Sequence, residues 1–297
     1  MIGLAAVVAG MTPRMGRFVA RLERLTALDG IAERARKLVR GAIRSRRVAD
    51  LLHGVWLGHP LHPALVQVPL GAWTSAAVLD VLPGQRAAAT TLVAIGTASA
   101  VPAALAGVND WAALSREQRR VGLVHAAANT MALTLYGVSL SARMRGRHTI
   151  GRRLAYLGLA VASTGAYLGG HLSYALGAQV NQSVPGLWLL RGTWQRVGNV
   201  DEFNEGEPAV RKLGETPVLV YLEAGRFTVM LERCAHHNGP LGDGKVVEID
   251  GWPCVVCPWH GSTYRLADGV VVHGPAATDQ ITLRTRIVDG RLEAAPV

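Results

Sequence analysis

The sequence predicts a multi-domain fold in which an N-terminal all-α four-helix transmembrane bundle precedes a C-terminal all-β domain. Four long apolar runs occupy the middle of the chain, and short β-like segments punctuated by glycine follow them. Of the 297 residues, 49% are hydrophobic, which is a larger share than an ordinary pair of soluble domains carries. At least one part of the chain is therefore expected in lipid.

Residues 1–50 are predicted to form a basic amphipathic arm. Apolar residues recur at roughly helical spacing from residue 12 to residue 47, and eleven Arg or Lys residues lie between them. The formal net charge of the chain is +10. Because this charge is concentrated on an amphipathic pattern, it favours an anionic lipid surface as the partner and argues against nucleic acid.

The membrane domain is predicted over residues 51–182. Its apolar runs approach or exceed the ~20 residues that cross a bilayer, and the polar connections between them are short. Consecutive helices must therefore pack antiparallel. The helices are expected at about 64–82, 87–108, 121–142 and 154–178.

An all-β domain is predicted over residues 187–297. Short runs with β-type composition alternate there with glycine-containing turns. The strands are expected at 216–222, 227–231, 246–249, 270–273 and 281–288.

Two pairs of metal-binding side chains lie in the all-β part. Cys234 and His236 stand in C-A-H-H-N-G-P-L, and Cys257 and His260 stand in C-P-W-H-G-S-T-Y. All three cysteines fall between Cys234 and Cys257, which excludes a secreted disulfide framework and indicates a metal. Cys254 and Cys257 also form C-x-x-C, which alone would fit a zinc half-site or a redox pair. No second C-x-x-C accompanies it, so Cys254 is expected to be a small buried side chain.

These two motifs resemble the Rieske family of iron–sulfur proteins over about residues 187–297. The resemblance implies one [2Fe–2S] cluster with two thiolates on one iron and two imidazoles on the other. The implied ligands are Cys234, Cys257, His236 and His260. The two imidazoles are expected to be the exposed ligands through which the electron leaves.

Four further positions separate the branches of this family. Respiratory members carry an extra cysteine in each loop, and a disulfide joins these two cysteines. The matching positions here are Gly239 and Trp259. The domain therefore resembles the ferredoxin-type branch. Ser262 and Tyr264 fall where high-potential members place hydroxyls that hydrogen-bond to cluster sulfur. They predict a potential in the upper half of the Rieske span of about −150 to +300 mV.

The histidines of the membrane domain suggest a second site. The predicted topology places His62, His125 and His171 near one face of the membrane, with Asn129 on the same helix as His125. Imidazoles in lipid are costly unless they have partners. Three interpretations remain open: haem b held by two of the histidines, a quinone pocket in which a histidine and Asn129 or Asp110 handle the proton, and hydrogen bonding between helices.

Together these features predict a one-electron carrier of the bacterial cytoplasmic membrane that exchanges electrons with a haem or quinone in the bundle. The alternatives are a membrane-anchored supply subunit for a separate oxygenase or reductase, and a redox-sensing or assembly factor. A slight excess of arginine and the lack of an export signal favour the cytoplasmic side for the cluster. The motif Gly58–Pro63 resembles a family of poorly characterised four-helix bacterial membrane domains, and the sequence names no redox protein partner.

Overall fold

The structure, a computed structural model, describes residues 18–297 in two compact units. A helical unit comprises residues up to Arg44 together with Leu61–Ala178, and a β-rich unit comprises Ser45–Pro60 with Gln179–Val297. The chain therefore passes between the units three times. The predicted boundaries differ from this division, because residues 45–50 of the predicted arm and residues 51–60 and 179–182 of the predicted membrane domain belong to the β-rich unit. The first 17 residues of that arm lie outside the described part of the chain.

The helical unit is built from two long helix pairs, each formed by consecutive helices that contact each other extensively. Arg120 joins the preceding basic segment to this unit through two hydrogen bonds, of 2.6 and 2.8 Å, to the Asp29 carboxylate. The helices of this unit are α1 over the described residues 18–23, α2 Asp29–Ala42, α4 Leu61–Leu79, α5 Arg86–Trp111, α6 Arg116–Met144 and α7 His148–Tyr174. Helix α3, Arg46–His53, belongs to the β-rich unit.

A capping box fixes the turn between the two helix pairs. The Ser115 hydroxyl accepts a hydrogen bond of 3.3 Å from the Gln118 amide nitrogen, and the Gln118 side chain accepts one of 2.9 Å from the Ser115 amide. These bonds satisfy amide groups that have no partner inside α6. The Gln118 side-chain amide also donates to the Leu176 carbonyl at 2.8 Å, so the start of α6 is tied to the end of α7.

The two helix pairs are an internal repeat. Corresponding residues of α4 and α6 are 63 positions apart and meet in three layers across the bundle. Two imidazole rings lie nearly perpendicular with centroids 6.3 Å apart in the first layer, two aromatic rings stack at 4.1 Å in the second, and an ion pair forms the third. The layers are His62 with His125, Trp73 with Tyr136, and Asp80 with Arg143.

Glycines of the two remaining helices repeat in the same way. A Cβ on Gly96 of α5 would come within 2.5 Å of the Trp73 ring, and one on Gly158 of α7 within 3.0 Å of Tyr136. Gly107 and Gly169 hold the matching places behind the two histidine rings, where a Cβ would lie 2.7 and 3.0 Å away. These glycines let the helices of each pair approach closely around a large side chain.

The outer surface of the bundle is apolar. In the described residues two helices, α5 and α6, are long and apolar enough by composition to cross a membrane. The other two long helices, α4 and α7, are not among these candidate spans, so four crossings remain a prediction. Large apolar side chains nevertheless project from all four, which suits a lipid-facing surface. They include Val68, Val78, Ile95, Leu105, Met131, Val138 and Leu157.

The β-rich unit contains two antiparallel sheets, as the predicted all-β class requires. The first has six strands in the order β1-β10-β9-β4-β3-β2, and the second has four in the order β5-β6-β7-β8. All five predicted strand positions coincide with a strand, while β1, β2, β6, β7 and β10 were not predicted. The strands are β1 Gln195–Asn199, β2 Ala209–Leu213, β3 Thr216–Glu223, β4 Arg226–Leu231, β5 Lys245–Ile249, β6 Trp252–Val256, β7 Thr263–Arg265, β8 Val271–His273, β9 Thr282–Val288 and β10 Arg291–Ala295.

Candidate metal centre

Two loops with the same backbone closure carry the predicted ligands. In loop 1, residues 234–239, the Cys234 amide donates to the Gly239 carbonyl at 2.9 Å, and the Cys234 carbonyl accepts from Asn238 at 2.9 Å. In loop 2, residues 257–262, Cys257 makes the corresponding bonds at 2.8 and 3.0 Å. Asn238 and Gly261 hold matching positions with φ of 57° and 81°. Each loop therefore begins with a cysteine and turns a histidine back toward the other loop.

The two loops bring the four predicted ligands together as two pairs. Cys234 and Cys257 are buried and lie within hydrogen-bonding reach of each other, and the rings of His236 and His260 lie 5.0 Å apart. No three His, Cys, Asp or Glu side chains within residues 18–297 converge on one ion. A thiol pair beside an imidazole pair fits a [2Fe–2S] cluster, because each iron of a Rieske cluster takes two protein ligands.

Burial and hydrogen bonding favour the thiolate of Cys257 and the neutral imidazole of His236, while Cys234 keeps the proton that it shares with Cys257. A hydrogen bond from Cys234, together with the amides of Trp259 and His260, lowers the pKa of the Cys257 thiol to about 6. The shared proton and burial raise the pKa of Cys234. Burial also keeps the pKa of His236 well below its usual value, and neither of its ring nitrogens has a hydrogen-bond partner. A buried polar atom without a partner is costly, and iron would satisfy it.

The exposure of the two imidazoles differs from the expectation. His236 is only 5% exposed, so the prediction that both imidazole ligands are exposed is wrong for this residue. His260 is partly exposed. The ring of His237 packs 4.6 Å from His236 and 5.5 Å from His260. His237 was expected to be an ordinary loop residue, and its position beside both ligand rings was not predicted.

Of the two hydroxyls, that of Tyr264 lies beside the thiol pair. Tyr264 is fully buried, and its hydroxyl lies 3.3 Å from the Cys234 sulfur. Burial and the neighbouring sulfur raise the pKa of Tyr264 well above its usual value, so the phenol keeps the proton that it donates. The Ser262 hydroxyl accepts a hydrogen bond of 3.0 Å from the amide of Ala276.

Replacing Tyr264 with phenylalanine is expected to lower the midpoint potential of the cluster by tens of millivolts. A hydrogen bond to a ligand sulfur stabilises the more negative, reduced cluster, so its loss favours the oxidised form. A one-electron couple shifts by roughly 60 mV per ~1.4 kcal/mol, and one net hydrogen bond contributes about 0.5–1.5 kcal/mol. Potentiometric titration followed by circular dichroism measures the change, and an unaltered potential would contradict this role. Tyr221→Phe is the control, because that tyrosine lies in the same core without an observed bond to a sulfur.

A buried glutamine braces loop 1 and was not predicted. The Gln280 side-chain oxygen accepts from the amide of Ala235 at 3.0 Å, and its nitrogen donates to the carbonyls of Leu231 and Arg233. Gln280 is 2% exposed. It lies 45 positions from Ala235, so local sequence offers no signal for its role.

Gly239 and Trp259, which stand where respiratory members carry the two extra cysteines, lie next to each other. A Cβ on Gly239 would lie 3.2 Å from the Trp259 ring and 2.7 Å from the Cys257 sulfur. Position 239 therefore has no room for a side chain while Trp259 is present. Cys254 is separate from the cluster ligands, because its thiol donates to the Trp252 carbonyl at 3.4 Å.

Two of the histidines predicted for the second site, His62 and His125, form a pair in the helical unit. The Nδ1 atom of His62 lies 2.7 Å from the Ala103 carbonyl, and Nδ1 of His125 lies 2.8 Å from the Gly165 carbonyl. Because a carbonyl only accepts, both rings carry their proton on Nδ1 and leave a lone pair on Nε2. The ring centroids are 6.3 Å apart, and the ring planes meet at 84°.

Asn129 and His171 have different positions relative to this pair. The Asn129 amide nitrogen lies 3.2 Å from Nε2 of His125, and a Cβ on Gly165 would collide with the Asn129 side chain at 2.6 Å. His171 instead places its Nε2 2.8 Å from the Glu23 carboxylate. The structure thus brings Asn129 to the pair and engages His171 with the basic N-terminal segment.

Comparison with known families agrees with this division of the chain. Residues 193–286 match the family described as Rieske [2Fe-2S] domain, and residues 58–182 match the family described as predicted membrane protein (DUF2231).

Individual relatives match the β-rich unit. The anthranilate 1,2-dioxygenase ferredoxin subunit of Burkholderia cepacia is 34% identical over 100 residues, which are 34% of this chain and 89% of that protein. A human Rieske domain-containing protein is 36% identical over 25% of this chain, but the match spans only 46% of its own length. The solved ferredoxin of carbazole 1,9a-dioxygenase from Nocardioides aromaticivorans IC177 is 19% identical over 35% of this chain and 99% of that one, with a TM-score of 0.32.

Proposed function

Because the chain belongs to the family of Rieske [2Fe–2S] proteins, we propose that it is a one-electron carrier tethered to the cytoplasmic membrane. The bound cluster would supply the one-electron couple. Cys234, Cys257, His236 and His260 would hold it, and His260 would be the ligand nearest solvent. The positions of the respiratory disulfide hold Gly239 and Trp259, which suits a reducing compartment and supports the cytoplasmic side for this unit.

The proposed exchange partner of the cluster is a haem b or a quinone in the helical unit. The observation that carries this proposal is the pair His62 and His125, whose Nδ1 atoms are both engaged by backbone carbonyls. Metal-ligating histidines commonly have their second nitrogen fixed in this way. His62 and His125 would hold the haem iron through their Nε2 atoms, and the centroids of the two rings lie 6.3 Å apart.

A quinone site uses the same pair differently. The Nε2 lone pair of His62 or His125 would accept a proton from a quinol hydroxyl, and the Asn129 amide would donate to the same oxygen. The proximity of Asn129 to His125 favours this version. The two versions make different spectroscopic predictions.

The optical spectrum of the purified full-length protein in detergent tests the proposal. With haem bound, a Soret band accompanies the cluster absorption and disappears in both His62→Ala and His125→Ala. His148→Ala is the control, since His148 opens α7 outside the pair. With a quinone site, the spectrum shows only the cluster, a quinol analogue reduces it, and both variants abolish that reduction. A cluster-only spectrum without reduction by quinol would contradict both versions.

A second candidate function is an anchored supply subunit for a separate oxygenase. The similarity to the anthranilate dioxygenase ferredoxin subunit over 89% of its length favours this alternative. In that case the helical unit is an anchor only. The cluster would then reduce an added oxygenase component at the same rate in the wild type and in His62→Ala.

A further inference from the structure

A segment from outside the all-β part of the sequence contacts the cluster loops. We call residues 45–60 the strap. It belongs to the β-rich unit and consists of α3, a short 3₁₀ turn at Val55–Leu57 and the residues that lead to α4. The sequence pattern had assigned its first residues to the basic arm. The arginine at the start of the strap and the aspartate in its middle engage different loops.

Arg46 holds loop 2. Its guanidinium donates at 3.1 Å to the Gly261 carbonyl and at 3.1 Å to the Thr263 hydroxyl. Gly261 directly follows the ligand His260, and Thr263 begins β7. The adjacent Arg47 is exposed, and the described part of the chain shows no hydrogen bond or ion pair for its side chain. Two neighbouring arginines thus differ in whether they contact the loop.

Asp50 holds a third loop, residues 274–276, which follows β8. One carboxylate oxygen accepts from the Gly274 amide at 2.9 Å, and the other lies 2.8 Å from Nδ1 of His273. Two residues further on, the Ala276 amide donates to Ser262 in loop 2. The Asp50 contacts therefore anchor the start of a loop whose end is bonded to the ligand-bearing loop.

Apolar contacts complete the attachment. His53 is buried, and a Cβ on Gly274 would come within 2.7 Å of its ring. Val55 packs on the same buried cluster of side chains that contains Cys234, Cys257 and Ala276. Pro60 lines the same small cavity as His236. The strap thus follows the cluster loops from loop 2 to the imidazole side.

We propose that the strap closes the cluster site and keeps water from it, with Arg46 and Asp50 as positioning residues for loops 2 and 3. This inference rests on the assignment of the cluster to the four ligands. It does not depend on what the helical unit binds. The strap proposal can therefore fail while the electron-carrier proposal stands, and the electron-carrier proposal can fail while the strap proposal stands.

The redox potential distinguishes closure from a simple charge effect. Two ferric ions, two sulfides, two thiolates and two neutral imidazoles give an oxidised cluster with no net charge, and reduction adds one negative charge. Water stabilises the charged form, so opening the strap raises the potential. Loss of a positive charge alone lowers the potential, whereas loss of a negative charge alone raises it.

The experiment compares Arg46→Gln, Asp50→Asn and the control Arg47→Gln in the purified full-length protein. Potentiometry gives the midpoint potential, and bleaching of the oxidised cluster by an iron chelator gives a rate. We expect both strap variants to raise the potential and to bleach about tenfold faster, since each loses hydrogen bonds to a charged group. Arg47→Gln should lower the potential slightly and bleach at the wild-type rate.

The proposal is overturned if Arg46→Gln lowers the potential as Arg47→Gln does and bleaches at the wild-type rate. A rise of the potential in Asp50→Asn alone would then reflect only its lost charge. Gly274→Ala disturbs the contact between the strap and the third loop by a change in that loop, because the new methyl group would displace His53 of the strap. Faster bleaching in that variant supports the proposal, and an unchanged rate counts against it.

Discussion

Alanine at His236 is expected to abolish binding of the [2Fe–2S] cluster, whereas alanine at the neighbouring His237 leaves the cluster in place. His236 would supply one of the two imidazoles of one iron, and its ring nitrogens have no other partner. His237 packs against both ligand rings but stands one position outside the ligand spacing. Iron content and the visible circular dichroism of the full-length protein measure the effect.

The cysteines provide a second matched comparison. Cys257→Ser should remove the cluster, and Cys254→Ser should keep it, because the Cys254 thiol bonds to a backbone carbonyl of its own strand. Both substitutions place a hydroxyl at a buried site, so fold destabilisation alone would affect the two proteins similarly. Loss of the cluster in both cysteine variants, or its retention in His236→Ala, would contradict the assigned ligand set.

The candidate ligand set could be proposed from the sequence because the geometry within each of its loops is local. Each loop closes within six residues through its own backbone bonds, so the spacing of cysteine and histidine along the chain already determines their relation in space. Three strands of the larger sheet, β3, β4 and β9, were also predicted, because each is a run rich in β-branched and apolar residues. Short strands such as β7, Thr263–Arg265, have too few residues to display a period.

The strap was not accessible because its contacts are long-range. Asp50 and Gly274 are 224 positions apart, and the local pattern around Asp50 only shows a basic amphipathic segment. Because arginine is dense in this segment, all of its arginines were expected to contact a lipid surface. In the structure Arg46 instead donates to the backbone of loop 2, so neighbouring charges with the same local pattern have different partners.

The internal repeat is difficult to recognise in the sequence, because several corresponding positions of the two halves hold different residues. Trp73 corresponds to Tyr136, which keeps two flat rings in contact. Asp80 corresponds to Arg143, which replaces one charge by its opposite and turns two equivalent positions into an ion pair. Such a pair is recognisable only when both helices are seen together.

The ion pair between Asp80 and Arg143 is expected to be among the strongest determinants of stability in the helical unit. The side chains are 5% and 1% exposed. Removing one partner leaves an uncompensated buried charge, which typically costs about 3–5 kcal/mol. Asp80→Ala should therefore lower the free energy of unfolding by about that amount, measured by denaturant titration in detergent with circular dichroism. Glu33→Ala is the control, because the Glu33–Arg36 pair is far more accessible to solvent, with side chains 39% and 21% exposed, and such pairs contribute little.

Exchange of the two charges tests the repeat itself. Since positions 80 and 143 correspond, the double variant Asp80→Arg with Arg143→Asp should recover part of the lost stability. Recovery should be incomplete, because Arg143 fits against Gly151, where a Cβ would lie 2.5 Å from its side chain. The corresponding position on α5 is the buried Ala89. Adding Ala89→Gly to the exchange is expected to increase recovery, while the same change in the wild type should only destabilise α5. Equal effects in both backgrounds would show that the two halves are not equivalent at this layer.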